Sequence, residues 1–174
     1  MDVSRVLGLL RPFFESREEP YALAGGLALL AYGAPRATFD VDLLARAGSR
    51  DALVAFLENR GFATLSATPG FSNHQHQEPA LGRLDVIYVG GATADAVFAG
   101  CSTRSIAPSV EAPVPRAEHL VAMKAQAFAK DGTRYSDLAD LQFLLALPGL
   151  DLEEARGYFE SAGIAEYFER LRRR

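Results

Sequence analysis

One cysteine, Cys101, is all that the 174-residue chain contains, which excludes an internal disulfide and suits a reducing compartment. No apolar run approaches the roughly 20 residues of a membrane-crossing helix. The opening Met1-Asp2-Val3-Ser4-Arg5 lacks the basic stretch and apolar core of a secretory leader, so a cytoplasmic protein is expected. Positive charge is not in excess either: 18 Lys and Arg against 22 Asp and Glu give −4. No overall field therefore draws in long nucleic acid, and a short or structured RNA would need a local basic face. Internal repeats, low-complexity tracts and an evident Ser/His or Cys/His catalytic pair are also missing. What remains is an ordinary globular composition, 49% hydrophobic and 23% charged, sufficient for one domain with a core and a helical extension.

Periodicity divides the chain in two. Residues 3–17 predict an amphipathic helix, with Val6, Leu7, Leu10, Phe13 and Phe14 at helical spacing and Pro12 expected to bend or interrupt it. Tyr21 to Ala24 reads as a short buried strand, and Gly25-Gly26 opens a helix that Gly33 and Pro35 end. A helix capped by Ser49 or Asp51 should run to about Arg60. Strands follow at 62–67, 70–76 and 83–89, then a helix near 93–99 and a strand near 102–107. Pro108, Pro113 and Pro115 read as a connector, after which 116–130, 135–147, 151–161 and 164–173 are helical. The expected architecture is α+β: a small mixed sheet with flanking helices over 1–112, then a helical bundle over 113–174.

Chemistry concentrates in Thr38-Phe39-Asp40-Val41-Asp42-Leu43. As a strand, this segment sends Phe39, Val41 and Leu43 to the core and Asp40 and Asp42 to the other face. Two carboxylates at that spacing repel unless one takes up a proton or a cation joins them. Mg²⁺ is the natural choice, since it takes oxygen ligands and is usually completed by substrate phosphates; Mn²⁺ is the alternative. Asp85, in the strand Arg83-Leu84-Asp85-Val86-Ile87-Tyr88-Val89, is a third candidate ligand. A second reading pairs it with Arg83 on the same face. Gly25 and Gly26 offer backbone without Cβ atoms at a helix start, where phosphate can approach closely.

With those residues in place, the sequence resembles the nucleotidyltransferase superfamily of DNA polymerase beta type, whose pattern is Gly-Gly or Gly-Ser, then Asp-x-Asp, then a later Asp. The stretch 23–44 is similar to the AbiEii-like branch found among bacterial toxin–antitoxin and abortive-infection proteins. The resemblance implies transfer of a nucleoside monophosphate from an NTP to a hydroxyl of tRNA, protein or a small molecule. It also implies catalytic and metal roles for Asp40, Asp42 and Asp85, phosphate seating by Gly25 and Gly26, and a cognate toxin or antitoxin partner. A non-catalytic, antitoxin-like binding module is the alternative, and metal-dependent phosphodiester hydrolysis a third reading.

Four other features carry open readings. Arg36 either contacts phosphate or is exposed in a turn. Lys124, four residues from Leu120 and from Phe128, either reaches nucleotide phosphates, as the family implies, or pairs with Asp137 or Asp140. His74-Gln75-His76 is a weak zinc motif, better read as a polar hairpin near the acceptor edge. Cys101 is expected as a small buried hydrophobe.

Overall fold

A computed structural model describes residues 1–35 and 37–173. It resolves into two compact units, Met1–Pro115 and Arg116–Arg174. The first begins with α1 (Val3–Glu15), capped by the Asp2 carboxylate, which accepts from the Arg5 amide at 3.2 Å. Its apolar stripe Val6, Leu7, Leu10, Phe13 and Phe14 is buried. Pro12 lies inside this helix without ending it: the Ser16 amide still reaches the Pro12 carbonyl at 3.1 Å. The carbonyl deprived of a partner four residues earlier belongs to exposed Gly8, where water can serve it.

Next come β1 (Tyr21–Leu23), α2 (Gly25–Ala31) and β2 (Asp40–Arg46). A 3-10 turn at Ala47–Ser49 leads into α3 (Arg50–Glu58), which meets α1 through a Phe13–Phe56 ring contact. The expected Ser49 cap is absent, because its hydroxyl donates instead to Glu19 at 2.5 Å. The chain continues with β3 (Phe62–Thr68), β4 (Phe71–His76), β5 (Arg83–Val89), α4 (Gly91–Ala99), β6 (Ser102–Ala107) and β7 (Val110–Val114). Five strands form one sheet in the order β1-β2-β5-β4-β3, with β2 and β5 parallel and every other pair antiparallel. β6 and β7 make a separate hairpin. Two of the three prolines read as a connector therefore belong to this hairpin: Pro108 lies in its turn and Pro113 within β7, while Pro115 follows it where the first unit ends. A two-stranded ribbon tolerates proline at a position whose N–H is not needed.

Sheet alternation separates core from chemistry. Val41 and Leu43 on β2, with Leu84 and Val86 on β5, are completely buried on one face. The opposite face carries Asp40, Asp42, Arg83 and Asp85. Phe39 does not join the core as the alternation predicts. It is 85% exposed, because β2 begins only at Asp40, opposite Arg83, where β5 begins.

The second unit contains α5 (Ala117–Lys130), α6 (Tyr135–Leu145), α7 (Leu152–Ser161) and α8 (Ala165–Arg172). Leu120, Val121, Phe128, Leu141, Leu144, Phe159 and Phe168 form its core. Asp151 caps α7 by accepting from the Glu153 and Glu154 amides, each at 3.0 Å. Among the described residues, no helix is long and apolar enough to cross a membrane.

Candidate active site

β2, β5 and β4 bring the site together by register. Asp42 lies directly opposite Asp85, and Asp85 opposite Asn73. One step back along the same face, Asp40 lies opposite Arg83, and Arg83 opposite Gln75. Adjacent strands lie about 4.8 Å apart, so the three aspartates share one patch even though Asp85 follows Asp42 by more than forty residues.

The glycine pair borders that patch. Gly25 has φ +53°, and a Cβ placed there would lie 1.7 Å from Asp42 Oδ2. Only glycine permits so close an approach of backbone to carboxylate. A Cβ on Gly26 would meet the Thr38 side chain at 2.7 Å. Thr38 in turn donates its hydroxyl to Asp40 Oδ1 at 2.7 Å, fixing the rotamer of that carboxylate. The Ala24 amide bonds the Asp42 carbonyl at 2.8 Å, tying the start of α2 to β2. The glycine pair and the paired carboxylates thus occupy one place.

Asp85 is only 8% exposed and fully engaged. Arg83 donates from Nε to Oδ1 at 2.9 Å and from Nη2 to Oδ2 at 3.1 Å, while Asn73 donates to Oδ1 at 2.8 Å. The hydrogen bonds to Asp85 lead in raising the Arg83 pKa above its ordinary value, and the charges of Asp40 and Asp42 add to them. The Arg83–Asp85 pairing read from the sequence is present. Among the described residues, no three His, Cys, Asp or Glu side chains converge on a metal position. The oxygen donors of Asp40 and Asp42, both half-buried on one strand face, still fit Mg²⁺, which commonly takes one or two protein carboxylates and completes its shell with phosphate and water.

Arg36 lies outside the described residues. Lys124 bonds Asp137 at 2.8 Å and Asp140 at 2.7 Å, and Arg134 holds the second oxygen of Asp137. Asp137 is 1% exposed, and Lys124 and Arg134 are its counter-charges within the helical unit. Asp137→Ala should therefore destabilise the protein by about 3 kcal/mol, read as a lowered urea midpoint.

His74 is not at an acceptor edge. It is completely buried on the face opposite the carboxylates. Its Nε2 meets the Ser72 hydroxyl at 2.8 Å and its Nδ1 the Thr64 hydroxyl at 3.2 Å. Ser72 also bonds the Tyr88 hydroxyl at 2.8 Å. His76 instead bonds the Glu78 amide and the Arg60 carbonyl and packs against Phe62. Burial pushes the His74 pKa below its ordinary 6.5. Below pH 6.5 the unfolded chain binds a proton that the folded one refuses, so stability is full above that pH and falls on acidification. The melting temperature should decline from pH 7 to pH 5, with a smaller decline in His74→Gln. Cys101 is half-buried, bonds the Val97 carbonyl, and has its thiol pushed up to about 11 by burial, which makes it inert.

Thr38 and Asn73, which hold Asp40 and Asp85, were not singled out from the sequence. Their signal is a polar residue on the carboxylate face, and for Asn73 it becomes readable only once β4 is known to pair with β5.

Residues 9–173 match the family model described as nucleotidyl transferase AbiEii toxin, type IV toxin–antitoxin system. The chain belongs to this AbiEii family. Membership makes it a nucleotidyltransferase and implies an NTP substrate and a cognate antitoxin. No curated protein matches significantly. Among solved structures, ANT(2")-Ia in complex with adenylyl-2"-tobramycin superposes with a TM-score of 0.67 at 16% identity, over 92% of this chain and 94% of that one. The lincosamide antibiotic adenylyltransferase LnuA, bound to lincomycin, gives 0.56 at 17% identity, covering 82% and 96%. An antigenic nucleotidyltransferase-like protein from Paracoccidioides brasiliensis gives 0.56 at 16%, covering 97% and 92%. At these identities the structural likenesses establish the AbiEii chain's fold alone.

Proposed function

We propose that this AbiEii-family protein transfers a nucleoside monophosphate from an NTP to a hydroxyl of RNA, protein or a small molecule, with Mg²⁺ and release of pyrophosphate. The observation that carries this reading is the approach of Gly25 to Asp42, which joins a phosphate seat to a cation-holding strand. Asp40 and Asp42 would hold the metal, with Thr38 fixing Asp40. Mg²⁺ bound there would neutralise phosphate charge and stabilise the attacking and leaving oxygens of an in-line displacement. Gly25 and Gly26 let the phosphates lie against bare backbone. The acceptor oxygen bonds to the α-phosphorus, the bond to the β-phosphate bridge breaks, and Asp85 takes the hydroxyl proton.

The adenylyl group joined to tobramycin in a structural neighbour supports a hydroxyl acceptor. A cytoplasmic location, with its NTP pool and a cognate antitoxin, fits the same reading. The test is incubation with each α-³²P-labelled NTP, Mg²⁺ or Mn²⁺, and a cell lysate separated into RNA, protein and small molecules. Label should become covalently fixed in one fraction. Its absence from all three, for every nucleotide, would contradict the proposal.

A further inference from the structure

The guanidinium of Arg83 stands where the carboxylate face needs positive charge. It engages both oxygens of Asp85, and its residue lies in register with Asp40 on the neighbouring strand. The Arg83 side chain is nevertheless 47% exposed, against 11% for that of Asp85. It is therefore anchored at its head and free to leave on the solvent side, whereas Asp85 is fixed by its strand and by Asn73.

We propose that Arg83 is a displaceable internal counter-ion, which occupies Asp85 until a divalent cation binds at Asp40 and Asp42 and is then released. This rests on the metal reading of Asp40 and Asp42 above and goes beyond it by assigning a positioning role to Arg83. The physical reason is charge balance. Three carboxylates on adjoining strand positions are mutually repulsive, and a tethered cation offsets that repulsion until substrate metal arrives. The same cation also opposes metal binding. Before Asp85 can serve as a metal ligand or take a proton, its oxygens must be surrendered by the guanidinium, so Arg83 lowers the affinity of the site for a cation. Asn73, a neutral donor, holds the carboxylate in place during the exchange.

The proposal is tested by Mn²⁺ binding to the nucleotide-free protein, followed by electron paramagnetic resonance or calorimetry. Arg83→Gln should bind Mn²⁺ about tenfold or more tightly than wild type, because it removes one competing charge. Arg83→Lys, which keeps the charge, should stay within about threefold of wild type. Asp40→Asn/Asp42→Asn in the Arg83→Gln background should abolish the gain. Unchanged or weaker binding by Arg83→Gln overturns the counter-ion role. If Asp40→Asn/Asp42→Asn still weakens Mn²⁺ binding in the wild-type background, the metal reading survives that failure. A gain that persists without Asp40 and Asp42 overturns both.

Arg83→Gln could be lost to misfolding, so a second measurement uses the wild type. The Arg83 Nε–H resonance, which reports the bond to Asp85, should lose its hydrogen-bonded shift on saturation with Mg²⁺. A resonance that does not move overturns the proposal.

Discussion

Asp40→Asn/Asp42→Asn lowers nucleotidyl transfer by about three orders of magnitude or more, with little change in melting temperature. The two side chains are half-buried neighbours on the outward face of β2, and the core beneath them consists of Val41 and Leu43. Amides keep the shape of carboxylates and still accept the Thr38 hydrogen bond that now reaches Asp40 Oδ1. What they lose is negative charge, on which retention of a divalent cation depends. A large kinetic loss with an unchanged fold therefore separates a catalytic role from a structural one. Steady-state transfer and thermal melts on the same preparations make the comparison. A variant that melts as wild type and keeps its transfer rate would remove both residues from the mechanism.

Gly25→Ala should be nearly as damaging for a different reason. The added methyl would lie 1.7 Å from Asp42 Oδ2 and 2.5 Å from its Cγ, distances no structure tolerates. The backbone cannot easily retreat, since the Ala24 amide holds the Asp42 carbonyl at 2.8 Å, so the carboxylate must turn away. If Asp42 holds the metal as proposed, a displacement of about 1 Å there corresponds to about a hundredfold loss in kcat. The φ of +53° at Gly25 adds about 1–2 kcal/mol of destabilisation for any residue with a Cβ. Gly33→Ala is the control. It also has positive φ, +93°, but a Cβ there meets nothing within 4 Å. It should lower stability and spare kcat, whereas equal kcat losses at both positions would reduce the Gly25 effect to backbone strain.

Much of this site can be read from period and spacing, because strand alternation fixes which side chains of one segment face together. Asp40 and Asp42 follow from that rule, and the chain order of Gly25, Asp42 and Asp85 anticipates their assembly. Phe39 escapes the rule because alternation carries no information on where pairing begins. β2 can extend only as far as its partner, and β5 starts at Arg83, just after Gly82 turns the chain at φ +58°. β7 is hidden by Pro113, whose missing donor matters little in a two-stranded hairpin. His74 reads from the sequence as part of a polar hairpin near the acceptor edge, because its partner Thr64 becomes a neighbour only through β3–β4 pairing, beside Ser72 two residues away on the same face of β4. Asn73 is obscured in the same way. Cross-strand neighbours belong to the register, and the register is set by the whole sheet.

If the Gly25–Asp42 corner carries nucleotidyl transfer, the fate of each phosphate of the NTP is fixed. Wild type and Asp40→Asn/Asp42→Asn should be compared with α-³²P- and γ-³²P-labelled samples of the same NTP, in the presence of acceptor. Wild type should fix the α-label on acceptor and release the γ-label as pyrophosphate, while the variant does neither. Transfer of the γ-label, release of the α-label only as free nucleoside monophosphate, or full α-label transfer by the variant would contradict the account.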